Sequence, residues 1–237
     1  MRLLVTRPEP EAERTAAALA RAGHEVLRAP MLRVEPVAPV DLGRGPWAAV
    51  ALTSANAARV LAQHPRKFEV MSLPAFAVGR HTAEAARAVG FARVESADGN
   101  FEDLVRLLAQ RRADIAGPLL YPAGEDRAGD LAAALAGWGL QVALVVVYRT
   151  VPVEKFPEEV NVALRTGAVE GVLHFSRRSA AAFLAAAEVA GLVENVTGMR
   201  HYCLSAQVAE PLSARGLTHL RIAARPQESA LLDLLET

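Results

Sequence analysis

The sequence predicts an α/β protein with two domains, each a parallel sheet flanked by helices. Short apolar segments alternate with Ala-rich segments of helical length along all 237 residues, which is the order that crossover helices give to a parallel sheet. Several apolar segments, such as residues 48–52, are continuous rather than alternating, as expected for strands buried on both faces. The chain also repeats itself after about half its length, which favours two domains over one.

The repeat starts where residues 119–122 open a strand, a helix and a strand in the same order as residues 3–6. The offset of 116 (119 minus 3) then holds without a gap and pairs Gly23 with Gly139. Later segments match at slightly larger offsets: 50–56 with 172–178, and 77–83 with 203–209. Solenoid repeats are only about 20 to 50 residues long, so this period indicates duplicated half-proteins. We therefore predict an internal duplication.

The amino-acid composition limits the classes to which the protein can belong. Hydrophobic residues make up 52% of the chain and charged residues 22%, which describes a packed globule. Lys plus Arg and Asp plus Glu both number 26, so the net charge is zero and no affinity for nucleic acid is implied. A single cysteine, Cys203, excludes an internal disulfide and a multi-cysteine metal site, and we expect it in the core.

Neither a leader nor a membrane span is expected. At most four apolar residues precede Thr6 and Arg7, too few for the core of a signal peptide. No apolar run approaches the roughly 18 residues of a spanning helix. We therefore expect a cytoplasmic protein with no membrane partner.

In the first half of the chain, local signals set the ends of the elements. Gly23 should end the first helix as a left-handed cap, and Ser54 should cap the second. Asn100, with Asp103 three residues on, should begin another helix as a capping box. We expect strands at 3–6, 25–27, 48–52, 75–78 and 93–95, and helices at 11–22, 55–62, 82–89 and 101–110.

The second half should repeat the series. We expect strands at 119–121, 142–148, 172–175, 202–204 and 220–223, and helices at 126–136, 179–190, 208–214 and 227–235. Two proline-marked segments, at about 30–39 and 149–157, occupy equivalent positions in the two halves and look like crossings between domains. If both are linkers, one domain is discontinuous and the other is not. The predicted bounds are 1–37 plus 153–237 for the first domain and 38–149 for the second.

The carboxyl ends of the predicted strands are the expected place for a ligand. Open parallel sheets bind ligands there because helix N-termini present free N–H groups and the positive end of a dipole. The loops at these ends are rich in hydroxyl residues, glycine and arginine: 6–8, 53–56, 79–82, 122–125, 176–178 and 205–207. Such a set suits an anionic ligand in a cleft between two domains.

Each of these residues also has an ordinary structural interpretation. Ser54 and Ser176 would cap helices in any protein of this class, and Gly79 could relieve a tight turn. Arg177 and Arg178 could be solvated, and His81 could be an exposed loop residue without a catalytic partner. The sequence carries no nucleophile triad, zinc spacing, Walker loop or GxGxxG motif, so hydrolase, metalloenzyme and nucleotide-dependent functions lack support.

Tyr148 is the more informative residue. The apolar strand at 142–147 ends in this phenol where the chain is expected to cross between domains, whereas the matching position in the first half is Leu32. The asymmetry places a hydrogen-bond donor on one side of the predicted cleft. A hydroxyl that satisfies a backbone group at the sheet edge is the alternative, and the sequence leaves both open.

Taken together, these segments resemble the uroporphyrinogen-III synthase family. The resembling segments follow the family's order along nearly the whole chain: 4–8, 52–57, 77–83, 147–150, 175–176 and 179–180. The resemblance implies two α/β domains joined by a two-stranded connector. It also implies a polycarboxylate substrate, hydroxymethylbilane, which the family cyclises with inversion of ring D, and no metal or organic cofactor. We expect a monomer that makes transient contact with hydroxymethylbilane synthase.

The resemblance also implies site residues. Tyr148 matches the tyrosine proposed to assist loss of the substrate hydroxyl, and is the predicted catalytic residue. The predicted substrate-binding residues are Thr6, Arg7, Thr53, Ser54, Ala55, Gly79, Thr82, Gly124, Ser176, Ser205 and Gln207. The departure lies at 205–208, where Ser-Ala-Gln-Val replaces the family's frequent Gly-Pro-x-Thr. Two alternatives stay open: a non-enzymatic two-domain sensor of small anions, and an inactive paralogue that still binds tetrapyrroles.

Overall fold

A computed structural model describes residues 1–38, 40–127 and 129–235. They divide into two compact units: unit 1 holds the described residues of Met1–Arg33 and Val151–Thr237, and unit 2 those of Val34–Thr150. The C-terminal bound predicted at Thr237 and the linker bound at Pro39 lie outside the described residues.

Strands and helices alternate along the chain. The first half holds β1 (Arg2–Val5), α1 (Glu11–Arg21), β2 (Glu25–Arg28), β3 (Leu32–Pro36), β4 (Ala49–Leu52), α2 (Ala55–Leu61), α3 (Lys67–Met71), β5 (Ala75–Ala77), α4 (Arg80–Val89), β6 (Val94–Ser96) and α5 (Phe101–Gln110). A 3-10 turn at Arg112–Asp114 leads into the second half. There follow β7 (Leu119–Gly124), α6 (Leu131–Ala136), β8 (Val142–Pro152), α7 (Glu158–Arg165), β9 (Gly171–His174), α8 (Arg177–Val189), α9 (Val193–Thr197), β10 (Arg200–Cys203), α10 (Ala206–Ala214), β11 (Leu220–Ile222), α11 (Glu228–Leu232) and a 3-10 turn at Asp233–Leu235.

Unit 1 is built on a parallel sheet in the order β11-β10-β9-β1-β2. Successive residues of β1 point to opposite faces, so Leu4 packs with Val172 and Phe183 on one side while Leu3 packs with Tyr202 on the other. Both faces are therefore covered, which explains the consecutive apolar residues of β1 (3–5) and β9 (172–173). Cys203 ends β10 in the core, as predicted.

Unit 2 holds a sheet in the order β3-β8-β7-β4-β5-β6. The strands from β8 to β6 pair in parallel. Strand β3 runs the other way beside β8, because Val37 N–H donates to Val147 O and Val153 N–H donates to Met31 O, each at 3.0 Å. The predicted fold class, α/β with parallel sheets flanked by helices, is confirmed.

The ends predicted for two strands were wrong. The strand expected at 119–121 continues as β7 to Gly124. The strand expected to stop at Tyr148 continues as β8 to Pro152, through the segment interpreted as the start of a crossing. Proline ends both β3 and β8, at Pro36 and Pro152, but it does not interrupt either strand. The backbone between Arg149 and Pro152 stays extended because β3 pairs with it.

The predicted helix caps are present. Ser54 Oγ accepts a hydrogen bond from Asn56 N–H at 3.1 Å. Asn100 and Asp103 form the reciprocal capping box at the start of α5. Gly23 has a φ of 84°, the left-handed conformation expected after α1.

Several helix bounds were wrong, and caps explain most of the errors. Helix α6 begins at Leu131 and not at 126, because Asp130 is its cap and accepts from Ala133 N–H at 3.1 Å. Helices α4, α8 and α10 begin two residues earlier than predicted, directly after Gly79, Ser176 and Ser205. His81 therefore lies in α4 and not in a loop. Helices α3, α7 and α9 were not predicted.

Equivalent elements recur at the offsets of the sequence repeat. Strands β4, β5 and β6 correspond in order to β9, β10 and β11, and α4 corresponds to α10. The duplication event itself stays a prediction. None of the helices in the described ranges is long and apolar enough to cross a membrane.

Candidate functional site

The predicted site residues fall into two groups, one in each unit, at the carboxyl ends of parallel strands. In unit 2 they follow β4 and β5 or lie at the ends of β7 and on β8: Thr53, Ser54, Ala55, Gly79, Thr82, Gly124 and Tyr148. In unit 1 they follow β1, β9 and β10: Thr6, Arg7, Ser176, Ser205 and Gln207. The two groups are described separately.

A β-bulge determines the face of the sheet to which the Tyr148 side chain points. Ala123 of β7 faces Val146 of β8, but the next residue, Gly124, faces Tyr148, so Val147 is an extra residue on β8. Without the bulge, Val147 and Tyr148 would point to opposite faces of the sheet. With it, both pack into the same apolar cluster. The bulge thus turns the phenol toward the face that carries α2 and α4 in the core.

Gly124 makes room for the Tyr148 ring. A Cβ atom at position 124 would lie 2.8 Å from both Cε2 and Cζ of Tyr148 and 3.0 Å from its hydroxyl oxygen. These distances are shorter than van der Waals contact, so any larger residue would displace the ring. The glycine predicted in the site from the strand-end loop 122–125 therefore acts by letting the phenol lie against the backbone.

Tyr148 is 8% exposed, and its hydroxyl lies close enough to the side chain of Ser54 for Ser54 to influence its pKa. Burial raises the pKa of Tyr148 above its ordinary value, and this effect outweighs the hydrogen bond from Ser54, which lowers it. The nearby Tyr121 and Asp126 raise the pKa further. Because the pKa is raised, the phenol keeps its proton at neutral pH and is a hydrogen-bond donor.

Thr53 and Ser54 each lie next to the hydroxyl of one tyrosine. Thr53 Oγ1 lies 3.2 Å from the hydroxyl oxygen of Tyr121, and Ser54 is bonded to Tyr148 while capping α2. Sequence analysis missed Tyr121. A signal was available, since the repeat pairs Tyr121 with Val5 (121 minus 116), a phenol opposite an aliphatic residue, as Tyr148 stands opposite Leu32.

Gly79 and Thr82 lie at the start of α4. Gly79 precedes the helix with a φ of −160°, an extended conformation that any residue adopts, so the tight-turn explanation for this glycine does not hold. A Cβ there would meet only Gly99 O, at 3.4 Å. Thr82 is 5% exposed, in the first turn of the helix.

A pocket of about 400 Å³ adjoins this group in unit 2. Its lining combines Tyr121 with three acidic side chains and one basic one: Glu125, Asp126, Asp130 and Arg127. The acidic majority makes this pocket a poor receiver for carboxylates, which favours the hydroxyl groups beside it for that task.

In unit 1, the first two predicted residues are engaged within the unit. Thr6 is fully buried and its hydroxyl donates to Leu173 O at 2.8 Å. Arg7 Nη1 donates to Thr15 Oγ1 at 3.1 Å and to Glu228 Oε2 at 3.0 Å, and its guanidinium lies 4.4 Å from the Phe175 ring centroid. The side chains of Thr6 and Arg7 thus tie β1 to its neighbours.

The other three residues begin helices. Ser176 accepts from Ser179 N–H at 3.1 Å and donates to Ser179 Oγ at 2.8 Å, which caps α8. Ser205 accepts from Val208 N–H at 3.4 Å and caps α10. Gln207 is exposed in the first turn of α10, and Arg177 pairs with Glu210 at 3.2 Å. The Ser205 loop therefore keeps a hydroxyl at the helix N-terminus despite its departure from the family pattern.

A buried histidine pair in unit 1 was not found by sequence analysis. His174 Nε2 lies 3.0 Å from His201 Nδ1, and His201 Nε2 donates to Val196 O at 2.8 Å. His174 Nδ1 is buried and has no partner within the described part of the chain. Among the described residues, no group of three or more His, Cys, Asp or Glu side chains is placed to hold a metal ion.

Two parallel sheets with hydroxyl groups and helix N-termini at their strand ends place this chain among α/β proteins suited to anionic small molecules. The family model described as Uroporphyrinogen-III synthase HemD matches residues 13–233, and the chain belongs to that family. Its members are enzymes of tetrapyrrole biosynthesis that cyclise hydroxymethylbilane. The resemblance stated from the sequence is confirmed, and the comparisons give no support to the alternative functions.

Solved structures agree with the fold. Uroporphyrinogen-III synthetase from Helicobacter pylori is similar with a TM-score of 0.66 and 21% identity, over 100% of this chain and 99% of that one. A mutant uroporphyrinogen III synthase from the extremely thermophilic bacterium Thermus thermophilus is similar with a TM-score of 0.50 and 17% identity, over 100% and 97%. At these identities the likeness establishes the fold. No curated protein matches the chain.

Proposed function

We propose that this chain converts hydroxymethylbilane into uroporphyrinogen III, with Tyr148 as the catalytic residue. Membership of the family supports the reaction. The observation that carries the assignment of Tyr148 is its geometry: the bulge opposite Gly124 turns the ring across that glycine and brings the hydroxyl close to Ser54.

The proposed reaction begins when the Tyr148 hydroxyl donates a hydrogen bond to the hydroxyl group on the terminal methylene of the bilane. The C–O bond breaks and water leaves, and the pyrrole nitrogen supplies the electron pair that forms an azafulvene. The substituted carbon of ring D attacks this electrophile and gives a spiro intermediate. The intermediate fragments and recloses with ring D inverted, and the carbon that joins the ring loses its proton.

Positioning should contribute more to this reaction than acid strength. A phenol whose pKa is raised is a weak acid, and substrate carboxylates can share in protonating the leaving group. Unassisted closure gives the isomer without inversion, so the protein must hold the two ends of the bilane in the less accessible arrangement. Orientation of reacting groups can be worth roughly 7 to 11 kcal/mol.

The substrate carboxylates should bind to hydroxyl and backbone N–H groups at the strand ends. In unit 2 we assign this role to Thr53, Ser54, Ala55, Gly79, Thr82 and Gly124. In unit 1 we assign it to Ser176, Ser205 and Gln207, with Arg7 contributing through its backbone because its side chain is engaged. Thr6 donates both its hydroxyl and its N–H to Leu173 O, so its part is to hold the strand end that carries this loop. The N-termini of α4, α8 and α10 support the binding of anions.

Further proposals concern the protein in the cell. We propose a cytoplasmic monomer that receives hydroxymethylbilane through transient contact with hydroxymethylbilane synthase. Prompt transfer would limit spontaneous closure of the bilane to the uninverted isomer. We also retain the domain bounds 1–37 plus 153–237 and 38–149 as a prediction.

Tyr148→Phe tests the assignment of the catalytic residue. Loss of the donor should lower kcat by on the order of 100-fold, the lower end of what a positioned proton donor contributes. The rate of uroporphyrinogen III formation from fresh bilane measures the effect. Tyr202→Phe is the matched control, since Tyr202 is also buried but lies in the core of unit 1. An unchanged kcat in Tyr148→Phe would remove Tyr148 from the mechanism.

A further inference from the structure

Two of the three tyrosines of the chain meet the same pair of residues in unit 2. The Tyr148 hydroxyl interacts with the side chain of Ser54, and the Tyr121 hydroxyl oxygen lies 3.2 Å from Thr53 Oγ1. Strand β7, which carries Tyr121, lies between β8 and β4. It therefore contacts both the strand that carries Tyr148 and the strand that ends just before Thr53.

The ring and the hydroxyl of Tyr121 have different surroundings and different roles. The ring packs in an apolar cluster with Leu104 and Leu131, where a phenylalanine ring would fill the same volume. Tyr121 is only 2% exposed, so its hydroxyl has little access to water. The contact with Thr53 is thus what the hydroxyl adds beyond packing.

The direction of this hydrogen bond determines what Thr53 can offer a ligand. Each hydroxyl has one proton. If Tyr121 donates to Thr53 Oγ1, the proton of Thr53 is free to point away from Tyr121, toward an anion at the end of β4. If Thr53 donates to Tyr121, that proton is used inside the protein. A carboxylate accepts hydrogen bonds and cannot donate them, so its binding selects the first arrangement.

We propose that Tyr121 is a positioning residue that acts through Thr53 and orients the Thr53 hydroxyl toward a carboxylate of the substrate. This inference rests on the proposed function, because it takes Thr53 as a carboxylate-binding residue. It assigns Tyr121 to substrate binding and Tyr148 to the chemical step. The two tyrosines should therefore affect different kinetic constants.

Tyr121→Phe tests the inference in the full-length protein. Without the donor, Thr53 loses its orientation, and KM for hydroxymethylbilane should rise about three- to tenfold while kcat changes less than twofold. Thr53→Val should raise KM to a similar or greater extent. The KM of the double variant should match that of Thr53→Val alone, since the proposal gives Tyr121 its effect on substrate binding through Thr53. Thr53→Ser keeps the hydroxyl and should keep KM near the wild-type value.

The controls separate this effect from loss of folding and from failure of the proposed function. Tyr202→Phe removes a phenol hydroxyl from unit 1 and should leave both constants unchanged. Thermal unfolding of each variant shows whether a change in KM reflects a loss of folded protein. An unchanged KM in Tyr121→Phe, or additive effects in the double variant, would overturn the inference. If the wild-type protein makes no type III isomer, the proposed function fails, and the inference fails with it.

Discussion

At the scale of the residue, the site depends on a glycine whose lack of a side chain leaves room for the Tyr148 ring. Gly124 sits opposite Tyr148 at the bulge, and a Cβ there would lie 2.8 Å from two ring carbons. The ring cannot move outward without leaving Ser54, its hydrogen-bond partner. The identity of residue 124 therefore controls the position of the catalytic group.

Gly124→Ala should accordingly lower both stability and activity. We expect the free energy of unfolding to fall by about 1 to 3 kcal/mol through overpacking, and kcat to fall because the Tyr148 hydroxyl is displaced. Gly137→Ala is the matched control, because no atom lies within 4 Å of a Cβ at that position and its φ is −65°. Urea titration and steady-state kinetics on both variants measure the effects. Equal behaviour of the two variants would contradict the role given to Gly124.

The sequence revealed some of these residues and concealed others. Tyr148 could be identified because a phenol follows the apolar run at 142–147. Gly124 was found only as part of the strand-end loop 122–125, since one glycine in a loop indicates little by itself. The bulge at Val147 leaves no signal, because it is a shift in pairing between two strands far apart in sequence. Tyr121 was overlooked because a tyrosine within an apolar strand is usually explained by packing.

The histidine pair in unit 1 predicts a dependence of stability on pH. His201 Nε2 carries a proton that it donates to Val196 O, so its Nδ1 accepts from His174 Nε2–H. His174 Nδ1 is then left without a proton or a partner. Burial lowers the pKa of His174 well below its ordinary value, and His201 lowers it further. Burial also lowers the pKa of His201, with a smaller effect from His219.

Unit 1 should lose stability as the pH falls below about 6.5. The folded-state pKa values are lower than those of the unfolded chain, so the unfolded chain binds more protons in acid. The stability is fully present above the unfolded pKa, and each histidine removes up to about 1.4 kcal/mol per pH unit below it. Unfolding free energies from about pH 7.5 to about pH 5.5 measure the slope.

His174→Phe should flatten this dependence, because it removes the imidazole whose pKa burial lowers most and keeps an aromatic ring against Phe183. His24→Gln is the control, since it removes a histidine outside the pair. A slope that stays the same in His174→Phe, or that flattens equally in His24→Gln, would refute the explanation.

At the scale of the element, helix caps have two roles that can be separated. Asn100 caps α5 and has no place in the proposed site, whereas Ser54 caps α2 and also holds Tyr148. Each substitution to alanine should cost about 1 kcal/mol of stability. Only Ser54→Ala should also lower kcat, because it releases the catalytic phenol. Denaturation and kinetics on the pair test this, and equal kcat values would argue against the contact with Tyr148.

The same caps explain which elements were predictable. Helix α5 was predicted with its observed bounds because its capping box is a local signal. Helix α6 was started too early because Asp126 and Asp130 are both plausible caps, and only the length of β7 decides between them. Strand β8 was ended too early because its last residues are extended through pairing with β3 and not through their own propensity.

At the scale of the whole molecule, the fold class follows from patterns that run along the chain. Continuous apolar strands and alternation with helices indicate covered parallel sheets, and both units have them. The order of strands was not predictable in the same way. Strand β1 pairs with β9, for example, with Leu3 opposite Gly171, and no local signal records such a distant pairing. The domain bounds stay predictions, and the catalytic role of Tyr148 stays a proposal.

The central claim is that this chain directs closure of hydroxymethylbilane to the inverted isomer. The most direct measurement supplies freshly generated bilane with and without the protein at catalytic levels, oxidises the products, and separates type I from type III uroporphyrin by chromatography. The account predicts predominant type III with the protein and type I without it. A ratio that stays at the type I background, with protein that is folded by circular dichroism, would contradict the account.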